Sequence, residues 1–139
     1  MRFAAAGNAF AVSAALRKLR VYLVDDDDSL RRALARTLRL AGFDVEAFPS
    51  VEALLERRLP ESDACLVLDV DLRGIGGIEF KQSMIDAGHD LPTIFITALE
   101  ADTVSERLAA LNPVAVLYKP FGKEYLVAAV ERACEGTCA

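Results

Sequence analysis

Residues 64–74 read ACLVLDVDLRG. From Ala64 to Leu68 the run is apolar on both faces of an extended chain. A strand without a wet face is the mark of a central parallel strand covered by helices on both sides. The run ends in two aspartates one residue apart, Asp69 and Asp71, then Arg73 and a glycine turn at Gly74. Such an ending fits three readings. In an enzyme, Asp69 attacks a phosphoryl group and Asp71 is its acid–base partner. In a switch only Asp69 is chemical. In neither case, a strand simply runs into a solvated turn.

The flanking sequence alternates short β-rich runs with amphipathic stretches. RVYLV (20–24) predicts a buried strand, and SLRRALARTLRLAG (29–42) predicts a helix stopped by Gly42. Leu30, Ala33, Leu34, Thr37, Leu38 and Ala41 stand there at helical spacing. FDVEAF (43–48) alternates, as a strand with one wet face does, and Ser50 can cap a short helix running to about Arg57. GIEFKQSMIDAG (77–88), DTVSERLAALN (102–112) and KEYLVAAVERAC (123–134) predict helices, the last with Leu126, Ala129, Val130 and Ala133 turned inward. PTIFIT (92–97) and VAVLYKP (114–120) predict a fourth and a fifth strand. Five βα units in series imply an α/β fold: a parallel sheet with helices on both faces and right-handed crossovers.

The chain's 139 residues suit one domain. A net charge of −5 and a pI of about 4.9 argue against non-specific nucleic-acid binding, which needs a basic surface. Arg31, Arg32, Arg36 and Arg39 alternate with leucines and read as a solvated helix face. Cys65 falls inside an apolar run as a small buried hydrophobe, and Cys134 and Cys138 lack partner ligands for a zinc knuckle. Reduced thiols and a cytoplasmic location are the simplest expectation. His89 reads as a solvated loop side chain. Residues 1–19 faintly resemble a signal peptide, but Gly7 and Asn8 interrupt the run and it is too short to span a bilayer. A frayed arm or an added helix is the plainer expectation. No other segment predicts a membrane span, and the last predicted helix leaves no room within these residues for a DNA-binding domain.

In an open parallel sheet, ligands bind beyond the carboxyl ends of the strands. Asp25 and Asp26 follow the first strand, Asp69 ends the third, Thr97 the fourth and Lys119 the fifth. Singly, each has a dull explanation: aspartates cap helices, Thr ends strands, and Lys-Pro is an ordinary strand exit. Together they bring acids, a hydroxyl and an ammonium to one rim. Two carboxylates about 4 Å apart repel by roughly 4 kcal/mol at an effective dielectric of 20. Such a group either protonates or recruits a divalent cation, and Mg2+ (or Mn2+) suits oxygen ligands of this kind. A cation beside a carboxylate, with a lysine and a threonine hydroxyl near, makes a phosphoryl-transfer site with a carboxylate nucleophile.

From Arg20 to about Cys134 the chain resembles the receiver domain of bacterial two-component response regulators. The resemblance rests on VYLVDDDD, CLVLDVDLRGIGGIEF, IFIT and YKPF, in that order. It implies a flavodoxin-like sheet of order 2-1-3-4-5, with residues 20–135 as the receiver domain, 1–19 an extension and 136–139 a tail. It implies that Asp69 is the phosphoacceptor, and that Asp26, Asp69 and the backbone carbonyl of Asp71 hold Mg2+, with Asp25 acting through a water. Lys119 then pairs with the phosphoryl oxygens and Thr97 hydrogen-bonds them. A cis bond between Lys119 and Pro120 is also implied. The implied partners are a sensor histidine kinase or phosphotransfer protein as donor. A downstream protein, or a second copy, would meet the face of the fourth helix, fifth strand and fifth helix.

Two positions depart from the family. Proline is common four residues after the phosphoacceptor, where this chain has Arg73, a loosened loop with an added cation. The switch aromatic normally lies three residues before the lysine, where this chain has Val116. Strand alternation puts Tyr118 on the same face, so Tyr118 is expected to take over part of the aromatic role. Two other functions stay open at this point. A receiver-like module with impaired switching is compatible with Arg73 and Val116. A haloacid-dehalogenase-like phosphatase shares the DVD motif, but normally at the end of the first core strand, and no second acidic motif follows Lys119.

Overall fold

The computed structural model describes residues 19–98 and 102–138; the expected extension over residues 1–18 lies outside the described residues. Strand β1 spans Arg20–Val24, β2 Asp44–Phe48, β3 Ala64–Asp69, β4 Thr93–Thr97 and β5 Ala115–Tyr118. Helix α1 spans Asp28–Leu40, α2 Val51–Leu55, α3 Gly77–Asp86, α4 Asp102–Ala110 and α5 Lys123–Cys138. All neighbouring strands pair in parallel in the order β2-β1-β3-β4-β5, which puts β1, β3 and β4 in the interior and β3 at the centre. Every residue of β3 is buried, as its unbroken apolar run requires.

Alternation along the strands divides the core into two layers. Val21, Leu23, Cys65, Val67, Ile94 and Ile96 face one side, against Leu34, Leu38, Leu126 and Val130 of α1 and α5. Tyr22, Val24, Leu66, Leu68 and Phe95 face the other, against Leu54, Ile78, Met84 and Leu108 of α2, α3 and α4. Both layers are predominantly apolar, so a slip of one residue in any central strand would exchange their contents. The helix starts are fixed by side chains. Asp27 Oδ1 accepts from Leu30 N at 3.1 Å at the start of α1, and Ser50 Oγ from Ala53 N at 3.0 Å at the start of α2.

Several local expectations are corrected. The buried stripe of α1 is Leu34, Ala35 and Leu38, while Ala33 and Ala41 are exposed, because the stripe turns toward β2 and α5. Leu19 belongs to the core at 2% exposure, not to an extension, and α5 continues to Cys138, past the tail boundary expected at 135. Arg31 and Arg39 are not simply solvated: Arg31 Nη1 donates to the Asp25 carbonyl at 2.9 Å, and Arg39 Nη2 to the Val45 carbonyl at 3.0 Å. His89 is half-buried with Nε2 2.8 Å from the Pro60 carbonyl. Among the described residues no helix is long and apolar enough to cross a membrane.

Candidate phosphoryl-transfer site

The pleat that sorts the core also aims the polar residues at the strand ends. Asp25 continues the row of Val21 and Leu23, Asp69 that of Cys65 and Val67, and Lys119 that of Ala115 and Leu117. The ladder carries on past the strands to hold them there, since Asp25 N donates to the Phe48 carbonyl at 3.1 Å and Lys119 N to the Thr97 carbonyl at 2.8 Å. Three charged groups therefore meet above one layer of the core. Thr97, fully buried, ends β4 beside them. The Lys119–Pro120 peptide is cis.

Lys119 Nζ lies 3.0 Å from Asp69 Oδ2 and 3.8 Å from Asp25 Oδ2. Asp69 is 2% exposed, and its other oxygen, Oδ1, accepts from Asp71 N at 2.9 Å. Asp25 is fully buried; Oδ1 accepts from Asp27 N at 2.9 Å, and Oδ2 is a buried oxygen without a hydrogen-bond partner. An orphaned buried acceptor is costly and uncommon. Burial pushes the Asp25 carboxyl up to about 6, with the charge of Asp69 adding to it and the Asp27 N–H and Lys119 opposing. Burial pulls Lys119 down, but its hydrogen bond to Asp69 and the charges of Asp69, Asp25 and Asp71 outweigh that, and its pKa lies above the usual lysine value.

Asp25, Asp26 and Asp69 each offer an oxygen such that all lie within 4.8 Å of one another. An all-oxygen donor set with one buried orphan oxygen fits a hard divalent cation. Such a cation would add a second positive charge near Asp25 Oδ2, whose nearest one is Lys119 Nζ at 3.8 Å.

Of the remaining sequence candidates, Asp71 and Arg73 contact this rim. Asp71 is exposed, with Oδ2 3.5 Å from Ala98 N. Arg73 N lies 3.2 Å and Arg73 Nε 3.4 Å from Asp26 Oδ2. Val116 packs, half-buried, against the α3 and α4 layer of the core. Tyr118, two residues on, places its hydroxyl 3.0 Å from Ser105 Oγ on α4.

Sequence reasoning missed three contributors. Arg31 braces the Asp25 carbonyl, but its helical spacing with other arginines reads as surface. Glu52 holds the loop after β3 through Ile75 N at 3.3 Å, a contact 23 residues apart with no local signature. Ser105 has no signal beyond its place on a helix.

Comparison with known proteins agrees with this geometry. The family pattern described as "Response regulator receiver domain" matches residues 21–131. Nodulation protein W of Bradyrhizobium diazoefficiens is 36% identical over 115 residues, covering 83% of this chain and 51% of that protein. Response regulator MprA of Mycobacterium avium is 42% identical over 113 residues, covering 79% of this chain and 48% of that protein. The chain thus spans about half the length of these curated relatives. Among solved structures, the response regulator StyR superposes with a TM-score of 0.78 at 36% identity, covering 86% of this chain and 60% of that one. FixJ-N gives a TM-score of 0.73 at 29% identity, covering 84% of this chain and 93% of that one. With sheet order, strand-end chemistry and family pattern in agreement, the chain belongs to the receiver-domain family of two-component response regulators.

Proposed function

We propose that Asp69 is the phosphoacceptor of this receiver domain, phosphorylated by a sensor histidine kinase or a phosphotransfer protein. The observation that carries this reading is the pairing of a buried Asp69 with Lys119 Nζ at 3.0 Å, beside a cluster of carboxylates that fits a divalent cation. In the transfer, a P–O bond forms to an Asp69 carboxylate oxygen as the P–N bond to the donor imidazole breaks. Lys119 then turns from the carboxylate to the phosphoryl oxygens, where its ammonium offsets their charge. Thr97 hydrogen-bonds the same oxygens. Asp26, Asp69 and the backbone carbonyl of Asp71 would hold Mg2+, with Asp25 acting through a water. When bound, Mg2+ supplies positive charge shared by the carboxylates and the phosphoryl oxygens.

The acyl phosphate shifts the population of two arrangements of the α4, β5 and α5 face. Output passes through that face to a downstream protein or a second copy of the chain. A cytoplasmic location goes with this reading, since the donor is a kinase module. The tyrosine at 118, bonded to Ser105 of α4, takes over part of the coupling that an aromatic at position 116 would provide. A receiver-like module with impaired switching is the second reading, favoured by Val116.

Incubation with acetyl phosphate and Mg2+ tests the proposal by intact mass. One added phosphate, absent in Asp69→Asn, is the expected result. No adduct at any donor concentration would favour the impaired module.

A further inference from the structure

The loop after β3 is pinned by a regular device. The backbone N–H groups of Asp71, Arg73 and Ile75 each donate to a carboxylate from a different element: Asp69 Oδ1 at 2.9 Å, Asp26 Oδ2 at 3.2 Å and Glu52 Oε2 at 3.3 Å. Between the last two, Gly74 takes a φ of +80°, and a Cβ there would lie 2.5 Å from Glu52 Oε2. The backbone at residue 73 is thus held in place independently of its side chain. The side chain then adds a second donor to the same oxygen, with Nε 3.4 Å from Asp26 Oδ2. Asp26 is the most accessible member of the carboxylate cluster, at 23% side-chain exposure, while Arg73 is 88% exposed. The guanidinium charge also reaches Asp28, whose carboxyl lies below its usual range chiefly through Arg31, with Arg73 a lesser contributor.

We propose that Arg73 is a built-in competitor for the divalent cation, setting how tightly the site takes Mg2+. The inference rests on the cation site proposed above and extends it. A cation entering the Asp25, Asp26 and Asp69 cluster finds Asp69 paired with Lys119 and Asp26 paired with Arg73. Lys119 is needed by the phosphoryl group; Arg73 is not. Its charge neutralises part of Asp26 and repels the incoming ion, while its N–H keeps the carboxylate facing the loop. Because the side chain is largely solvated, the effect is modest and sensitive to salt. The expected size is about a two- to fivefold weakening of Mg2+ binding at low ionic strength.

The test is calorimetric titration of the full chain with MgCl2, for the parent, Arg73→Gln, Arg73→Lys and Asp26→Asn. Arg73→Gln keeps the N–H and loses the charge, and it is expected to bind about two- to fivefold tighter at roughly 0.02 M salt, with the gap closing near 0.5 M. Arg73→Lys keeps the charge and is expected to stay close to the parent. Equal or weaker binding by Arg73→Gln overturns the inference, and so does an Arg73→Lys variant as tight as Arg73→Gln. A different result marks failure of the underlying site: no Mg2+ binding by any variant, or binding that Asp26→Asn leaves unchanged, removes the cation site and this inference with it.

Discussion

At Asp25, burial and like charge act together to favour the protonated form. Its folded pKa of about 6 lies above the ordinary 3.8, so between those values the folded state holds more protons than the unfolded state. Stability contributed by this group therefore falls as pH rises from about 4 to about 6, on the order of 2–3 kcal/mol. In chelator, urea denaturation of the parent should show that loss, and Asp25→Asn should remove most of it. An unchanged slope in Asp25→Asn would show that the carboxyl does not carry the penalty. Mg2+ favours the ionised carboxylates, so its binding should weaken as pH falls through about 6. The candidate residues were readable because each stands at or just past the end of a strand. Their ranking was not: only burial separates Asp25, fully buried, from the more accessible Asp26 beside it.

Between elements, two contacts invite separate tests. Lys81 of α3 is 2% exposed, and its ammonium bonds Asp90 Oδ1 at 2.5 Å and the Leu91 carbonyl at 2.7 Å, tying α3 to the start of β4. Asp90 is 63% exposed, and the Leu91 carbonyl also accepts from Thr93 Oγ1 at 2.9 Å. Lys81→Met therefore leaves no partner stranded and should be close to neutral by chemical denaturation. Asp90→Ala leaves a buried ammonium without its counter-ion, held only by the Leu91 carbonyl, and should cost about 1–3 kcal/mol; the reverse order would contradict the assignment. The second contact joins Tyr118 of β5 to Ser105 of α4. Tyr118→Phe should speed backbone hydrogen exchange in α4 by up to about tenfold, the worth of one partly buried hydrogen bond. Exchange in α4 that is the same in Tyr118→Phe would mean the hydroxyl does not couple the two elements. Neither contact was legible beforehand. GIEFKQSMIDAG gives Lys81 no mark distinguishing it from a surface lysine, and strand alternation gives the direction of Tyr118 but not its partner.

Over the whole molecule, the readable part was what periodicity and strand ends encode. ACLVLD could only be a central strand, and the alternation in RVYLV and PTIFIT assigns side chains to two core layers. The sheet order 2-1-3-4-5 came from resemblance, because the strand patterns alone do not say which neighbours pair. Element ends shifted by a few residues, as at α5, which runs on from the expected end at 134 to Cys138. Long-range pins such as Glu52 to Ile75 and Arg73 to Asp26 depend on the loop's path, which composition does not encode. All of these features converge on a single oxygen-rich rim, and the central claim is that its chemistry runs through Asp69. Treating the acetyl-phosphate-labelled protein with borohydride reduces an aspartyl phosphate to homoserine, and peptide mass analysis then locates it. The account predicts homoserine at position 69 and nowhere else; a reduced residue at Asp25, Asp26 or Asp71 instead would contradict it.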